Sequence, residues 1–190
     1  PDAWMCGLLM RLTLETLYKD HDNLRRILCL LEKLLIDVYR GSSIGNLMLQ
    51  RILKYIHEYP SRIHHPAEYA VFSAISREGE SNRKFHEDVN TLMEDHAEID
   101  DIIRAALEAV SPRLGSTNLN MTDSADRLSA LIARERAHLL IEETNIYPFI
   151  AEHLTSEDWE NISALIPDYD DPIFGDKVRK EYEQIVEALG

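Results

Sequence analysis

The sequence of 190 residues has few cysteines and no long apolar run. Its two cysteines, Cys6 and Cys29, form no CxxC pair and are too few for a disulfide scaffold, so we expect buried, inert thiols in a reducing compartment. No apolar stretch approaches the roughly 20 residues that cross a bilayer, and the first residues lack the basic region of a signal peptide. We therefore expect a soluble, cytoplasmic protein.

Basic residues are also scarce. The 20 lysines and arginines face 34 aspartates and glutamates, which gives a formal net charge of −14. Such a charge repels the phosphate backbone of nucleic acids and the anionic surface of membranes. The composition therefore argues against nucleic-acid and membrane partners.

Glycine and proline, at 7 each, are few and clustered. Between the clusters, apolar residues recur at intervals of three and four, which predicts four long helices over roughly residues 9–38, 44–76, 81–111 and 122–154. Pro60 and Pro66 lie inside the second of them, so we expect a kink or break near Tyr59 and Pro60. Each helix has one apolar stripe that the other three can cover, which indicates an all-α, antiparallel four-helix bundle.

A shorter segment follows the four helices. We expect residues 1–155 to form the bundle and residues 156–190 to form a C-terminal helical extension packed on it. Thr155 and Asp158 have the spacing of a capping box, which predicts a helix start, and a last short helix is expected over about 176–189. Three apolar side chains are expected to hold the extension in place: Trp159, Ile173 and Phe174.

The stretch HHPAEY, residues 64–69, places titratable groups inside an amphipathic helix. Glu68 follows His64 by four residues, so both side chains leave one face of the helix and can share a metal ion. The fourth helix repeats this arrangement with His138 and Glu142. The first and third helices each contribute one histidine near the middle, namely His21 and His96.

The spacing of these residues repeats along the chain. His21 and His96 are 75 residues apart, and both the His64–His138 and the Glu68–Glu142 separations are 74. In an up-and-down bundle such positions meet at one level, and imidazoles with bridging carboxylates suit two transition-metal ions. We expect a di-iron centre, with manganese or zinc as alternatives. The six candidate ligands are His21, His64, Glu68, His96, His138 and Glu142.

Four other histidines fit this pattern less well. His65 competes with its neighbour His64, but its residue at i+4 is Tyr69 rather than an acid. His57 and His86 have no acidic residue at i+4. His153 has Glu157 at that spacing, but the pair straddles the expected end of a helix.

Three segments, YIHEYPSRIHHPAEYAVF, LMEDHAEID and HLLIEETNIYPFI, resemble characteristic segments of the hemerythrin-like, or HHE cation-binding, family. The similarity covers roughly residues 14–155. It implies a four-helix bundle that holds a non-haem di-iron centre, with the six candidates as ligands and Glu68 and Glu142 as bridges.

The sequence differs from that of the oxygen-carrying members of this family. Those members have a second histidine one turn after the third-helix ligand and a late HxxxxD motif, where this chain reads HAEID and HLLIE. Asp100, four residues after His96, is a ligand, an orienter of a histidine N–H, or a solvated acid. The pattern is closer to the branch that acts in iron–sulfur repair and the nitric-oxide response. Stable oxygen carriage is therefore not expected.

Three further residues lie near the candidate ligands. The phenols of Tyr18 and Tyr147 are each either a hydrogen-bond or one-electron donor to the centre or simply a core tyrosine. Glu143 should face about 100° away from Glu142, outside the ligand set.

Two functions fit these features. The first is a di-iron protein that binds or reacts with a small ligand such as O2, NO or peroxide. The second is an iron-handling or sensing module without catalytic turnover, which would meet a redox or iron-acceptor protein. A metal-free helical interaction protein is the simplest alternative to both. Whether the protein is an enzyme, and whether it forms a homodimer, is not decided by the sequence.

Overall fold

The computed structural model of the chain describes residues 3–40, 46–75, 83–110, 121–166 and 170–190. Within these ranges the secondary structure is helical and there is no strand, which confirms the predicted all-α class. None of the described helices combines the length and the apolar character that crossing a membrane requires.

The described ranges contain eight α-helices and two five-residue π-helices. The α-helices are α1 Ala3–Tyr39, α2 Asn46–Tyr59, α3 His65–Ile75, α4 Arg83–Val110, α5 Met121–Ile141, α6 Tyr147–His153, α7 Ser156–Leu165 and α8 Glu183–Leu189. The π-helices are π1 Pro60–His64, between α2 and α3, and π2 Glu142–Ile146, between α5 and α6. Four long helical runs are therefore present, as the sequence predicts.

The predicted irregularity at Tyr59 and Pro60 takes the form of π1. In both π-helices a proline follows two residues after the last π residue, Pro66 after π1 and Pro148 after π2. A proline lacks an N–H, and its ring clashes with the carbonyl one α-turn earlier, so a wider turn before it relieves the clash. π-Helical turns of this kind often occur at functional sites. Each contains a candidate ligand, His64 in π1 and Glu142 in π2.

The chain folds into two compact units. Unit 1 comprises Pro1–Asp22, Pro60–Asp95 and Ala137–Tyr169, and unit 2 comprises Asn23–Tyr59, His96–Arg136 and Asp170–Gly190. The domain division predicted at residue 155 follows neither unit and stays a prediction.

Unit 1 has an apolar core to which six helical segments contribute. The large buried side chains are Leu17 of α1, Val71, Phe72 and Ile75 of α3, Phe85 and Leu92 of α4, Ile146 and Ile150 of π2 and α6, and Trp159 and Ile162 of α7. Trp159 is only 1 % exposed, so α7 is part of this core rather than a loose appendage.

In unit 2 the C-terminal segment is held by the buried carboxylate of Asp171. It accepts hydrogen bonds from the hydroxyl of Tyr55 at 3.0 Å and from the amide of Asn23 at 3.4 Å. It also accepts from the backbone N–H groups of Ile173 at 2.8 Å and Phe174 at 3.0 Å. Because four donors converge on one buried carboxylate, this cluster fixes the segment in place.

The last predicted helix, over about 176–189, begins later than expected. Only a 3-10 turn at Lys180–Tyr182 and then α8 are helical. The side chain of Asp170 accepts the backbone N–H groups of Asp176 at 2.8 Å and Lys177 at 3.2 Å. Because an aspartate side chain that binds nearby N–H groups stabilises a turn in place of a helix, residues 176–179 stay outside the helix.

The expectation of a buried thiol is wrong for Cys29. This thiol is exposed, and its sulfur lies 3.6 Å from Nη2 of Arg136. Cys29 lies on the polar face of α1, next to the apolar stripe. The helical period alone does not show on which side of this boundary a small residue lies. The side chain of Cys6 lies outside the described residues.

The predicted capping box at the start of α7 is confirmed. The Thr155 side chain accepts from the backbone N–H of Asp158 at 3.3 Å, and the Asp158 carboxylate accepts from the backbone N–H of Thr155 at 2.9 Å. We expect Thr155→Ala to destabilise the protein by about 1 kcal/mol, because one backbone donor of the first turn loses its partner. Urea unfolding measures this difference, and Ser156→Ala, one residue further on, should change stability much less. Equal stabilities for the two variants would contradict this role of the cap.

Candidate metal centre

Four of the six candidate ligands come together inside unit 1. His21, His64, Glu68 and Glu142 each offer one ligand atom, and these four atoms lie within 4.8 Å of one another. They come from α1, π1, α3 and π2, so separate parts of the sequence form one cluster. His21 and both glutamates are 0 % exposed. These three side chains are therefore closed to bulk water, and His64 is 5 % exposed.

Glu142 is placed between two histidines. Its Oε1 lies 2.9 Å from Nε2 of His138, the residue four positions earlier, as the i+4 spacing predicts. Its Oε2 lies 3.2 Å from Nε2 of His21. The two oxygens of one carboxylate thus face different imidazoles, which is the geometry that a carboxylate bridging two cations needs.

Glu68 is paired with His64, again at the predicted i+4 spacing. Their Oε1 and Nε2 atoms are 3.3 Å apart. His65 is half-buried and offers an atom within 4.8 Å of a Glu68 oxygen. His65 therefore stays a second candidate beside His64.

His96 of α4 is buried, with 7 % of its surface exposed, and belongs to unit 2. Its role as a ligand stays a prediction that rests on its spacing from His21. Asp100, one turn later, lies 3.1 Å from Nε2 of His57 and 2.9 Å from Nε of Arg104. Of the three roles considered for Asp100, these contacts favour a partly exposed acid in a surface ion-pair network.

The distances in the cluster fit a shared metal ion. Nitrogen and oxygen donors bind zinc or magnesium at about 2.0–2.2 Å, so neighbouring donors around one ion, at angles of 90° to 109°, are about 2.8 to 3.5 Å apart. The Nε2 atoms of His21 and His64 are 3.1 Å apart, and the histidine–glutamate distances given above fall in the same interval. A ring nitrogen carries at most one proton. Several close polar neighbours around one such nitrogen are therefore better explained by a cation between them.

Each of three histidines in unit 1 directs its other ring nitrogen toward an acid. Nδ1 of His21 lies 2.9 Å from Glu143, Nδ1 of His64 lies 3.4 Å from Asp20, and Nδ1 of His138 lies 3.6 Å from Asp95. A metal-binding histidine commonly donates its second N–H to a carboxylate, which fixes the tautomer and leaves Nε2 free to bind. Sequence analysis missed these three acids as partners of the histidines. For two of these acids the sequence contains a signal of a position near the cluster. Asp20 and Asp95 directly precede the candidate ligands His21 and His96, although they face His64 and His138.

Burial and proximity change the protonation of the cluster. Burial, together with the nearby charge of Glu68, raises the pKa of Glu142 to about 8. Burial opposes protonation of His64, but Glu68, Asp20 and Glu142 together outweigh it and hold the pKa of this imidazole well above its usual range. Protons thus supply, in the metal-free chain, part of the positive charge that two buried carboxylates need. Metal binding should replace these protons.

Glu143 provides a direct test of the outer acids. We expect Glu143→Ala to weaken metal binding by about 10- to 100-fold, because Nδ1 of His21 loses the acceptor that fixes its ring. Competition with a chromophoric chelator measures the affinity, and the exposed Glu152→Ala is the matched control. An affinity equal to that of the control would show that Glu143 does not orient the imidazole.

An all-α fold with a buried histidine–glutamate cluster defines a helical metal-binding domain. The family model of the Hemerythrin HHE cation binding domain matches residues 12–150, and the chain belongs to this family. All six candidate ligands lie within the matched range. A comparison with curated proteins finds no match, and neither does a comparison with solved structures.

Proposed function

We propose that the protein is a non-haem di-iron protein that binds or reacts with a small ligand such as O2, NO or peroxide. The observation that carries this proposal is the placement of Glu142, whose two oxygens face Nε2 of His21 and Nε2 of His138. One ion on each side of this carboxylate would explain why both oxygens have an imidazole neighbour. A single ion would use only one of the two sides.

The proposed ligands are the six that the sequence predicts. His21, His64, Glu68 and Glu142 would hold one ion, and His138 together with Glu142 would hold the second. His96 stays the sixth proposed ligand, because its separation of 75 residues from His21 nearly equals the 74 between His64 and His138. Imidazole nitrogens with carboxylate oxygens favour iron, and manganese or zinc can occupy such a set as well.

The protein supplies a dry and pre-arranged site. When bound, iron with an open position would lower the pKa of a coordinated water or stabilise a reduced small ligand. Complete burial of Glu68 and Glu142 excludes water that would otherwise compete for the carboxylates. The acids at Nδ1 of His21 and His64 hold Nε2 of each ring ready to bind. Little rearrangement is then needed when a ligand enters.

The proposal is tested by the optical spectrum of the reduced, iron-loaded protein. The sample is kept anaerobic until O2 or NO is added. The added gas should change the charge-transfer absorption within the mixing time of the experiment, because an exogenous ligand would bind to iron. The metal-free chain, treated in the same way, is the control. An unchanged spectrum at full iron loading would remove small-ligand reactivity from the proposal.

The burial of the cluster weighs against the alternative of an iron-handling module. A protein that delivers iron must release it, whereas donors that are closed to water exchange metal slowly. We therefore expect a strong chelator to remove iron over hours rather than seconds. Release within seconds, monitored by the colour of the chelate, would favour iron handling over small-ligand chemistry.

A further inference from the structure

Tyr147 places its phenolic oxygen among the proposed ligand atoms. The oxygen lies 3.0 Å from Nε2 of His21 and 2.8 Å from Oε1 of Glu68. The ring of Tyr147 also stacks on that of His21, with centroids 5.3 Å apart and an angle of 28° between the planes. Only 1 % of the residue is exposed. The oxygen is therefore fixed inside the cluster rather than at its edge.

A π-helical turn brings Tyr147 to this position. Residues five apart in an α-helix point about 140° away from each other, so an α-helical turn would direct Tyr147 away from Glu142. In π2 the backbone N–H of Tyr147 instead donates to the carbonyl of Glu142, five residues earlier. This wider turn places the two residues on one face.

The surroundings of the oxygen are those of a metal ligand. Both of its distances fall in the interval of about 2.8 to 3.5 Å that neighbouring donors around one ion have. Without a cation the phenol donates its single proton to Glu68. The same oxygen then also lies beside a histidine nitrogen that has two further close neighbours, His64 and Glu142. That nitrogen carries at most one proton, which cannot serve its contacts with His64, Glu142 and Tyr147 together.

We propose that Tyr147 is an additional ligand and binds, through its phenolate oxygen, the ion that His21, His64 and Glu68 hold. This inference rests on the proposed metal centre and adds to it an oxygen donor outside the histidine–glutamate set. With the ion bound, the Tyr147 oxygen would hold it in place of the phenolic proton, which would leave by way of Glu68, its hydrogen-bond acceptor. Two divalent ions would carry more positive charge than two carboxylates neutralise, and the negative charge of the phenolate would offset part of this excess.

Iron-loaded, oxidised protein tests this inference spectroscopically. A phenolate bound to ferric iron gives a visible charge-transfer band and enhanced tyrosinate vibrations in the resonance Raman spectrum. We expect both signals in the wild-type protein and their complete loss in Tyr147→Phe. The matched control is Tyr18→Phe, because the Tyr18 ring lies 5.3 Å from that of Tyr147 but is 38 % exposed. Tyr18→Phe should keep both signals.

Elemental analysis of the same samples separates the two proposals. Iron-loaded wild-type protein without tyrosinate signals, or Tyr147→Phe that keeps them, would overturn the role of Tyr147 and leave the metal centre intact. Wild-type protein that binds no iron would overturn the metal centre itself, and this inference with it. If Tyr147→Phe fails to fold, Tyr147→His replaces the oxygen by another donor. This variant should retain iron and lose the tyrosinate signals, and retention of both would contradict the inference.

Discussion

Replacing Glu142 by glutamine should lower the affinity for metal by at least about 100-fold, the upper end of the effect of an outer acid. The wild-type carboxylate faces His138 at 2.9 Å with one oxygen and His21 at 3.2 Å with the other. Glutamine keeps the shape of the side chain but has one oxygen only, and its NH2 group cannot bind a cation. One proposed ion therefore loses a donor, and the bridge between the two ions is lost.

Metal content after dialysis, measured by elemental analysis, reports this loss. The matched control is Glu152→Gln, which makes the same substitution at an exposed position of α6, ten residues after Glu142. Circular dichroism shows whether both variants keep their helices. A Glu142→Gln protein that folds and retains as much metal as the control would contradict a bridging role for this carboxylate.

Metal loading should raise the melting temperature of the protein by about 8–16 °C. A ligand at 1,000 times its dissociation constant, which binds only the folded state, stabilises a protein by about 4.1 kcal/mol. For a chain of this size each kcal/mol is worth about 2–4 °C. The two carboxylates of Glu68 and Glu142 are fully buried, and a cation compensates the cost of keeping both charged. Calorimetry of the metal-free and iron-loaded protein measures the shift.

Magnesium provides the control for this experiment. It binds through oxygen ligands and keeps much of its water, so a cluster rich in imidazole should hold it poorly. An equal concentration of magnesium is expected to leave the melting temperature within about 2 °C of that of the metal-free protein, which is less than 1 kcal/mol of binding. Equal shifts with magnesium and iron would indicate nonspecific binding to the acidic surface instead of the cluster.

Local pairs in the cluster could be predicted from the sequence. His64 with Glu68, and His138 with Glu142, are contacts at i+4, and the period of an α-helix determines that such residues share a face. Both pairs are in contact in the structure. The place of His21 beside them could be predicted only from the repeated spacing and from the packing of helices expected for a bundle.

The partners of the histidine Nδ1 atoms were harder to predict. Asp20 is adjacent to His21 in the sequence, yet it faces His64, a residue on another helical segment. Glu143, expected outside the ligand set, contacts Nδ1 of His21 across 122 positions of sequence. Such contacts depend on the rotation of one helix against another. The helical period within either helix does not determine this rotation.

The all-α class, the four long helical runs and the two i+4 pairs can be predicted from the residues alone, because each follows from the period of a helix and the positions of its breakers. The place of Tyr147 could not be predicted in this way. It depends on the π-helical turn π2, which interrupts the 3.6-residue period of the helix. Pro66 and Pro148 indicate where the two π-helical turns occur, but a proline does not determine the hydrogen bonds of the turn before it. The directions of the His21 and His64 rings likewise depend on Glu143 and Asp20, which packing brings beside them.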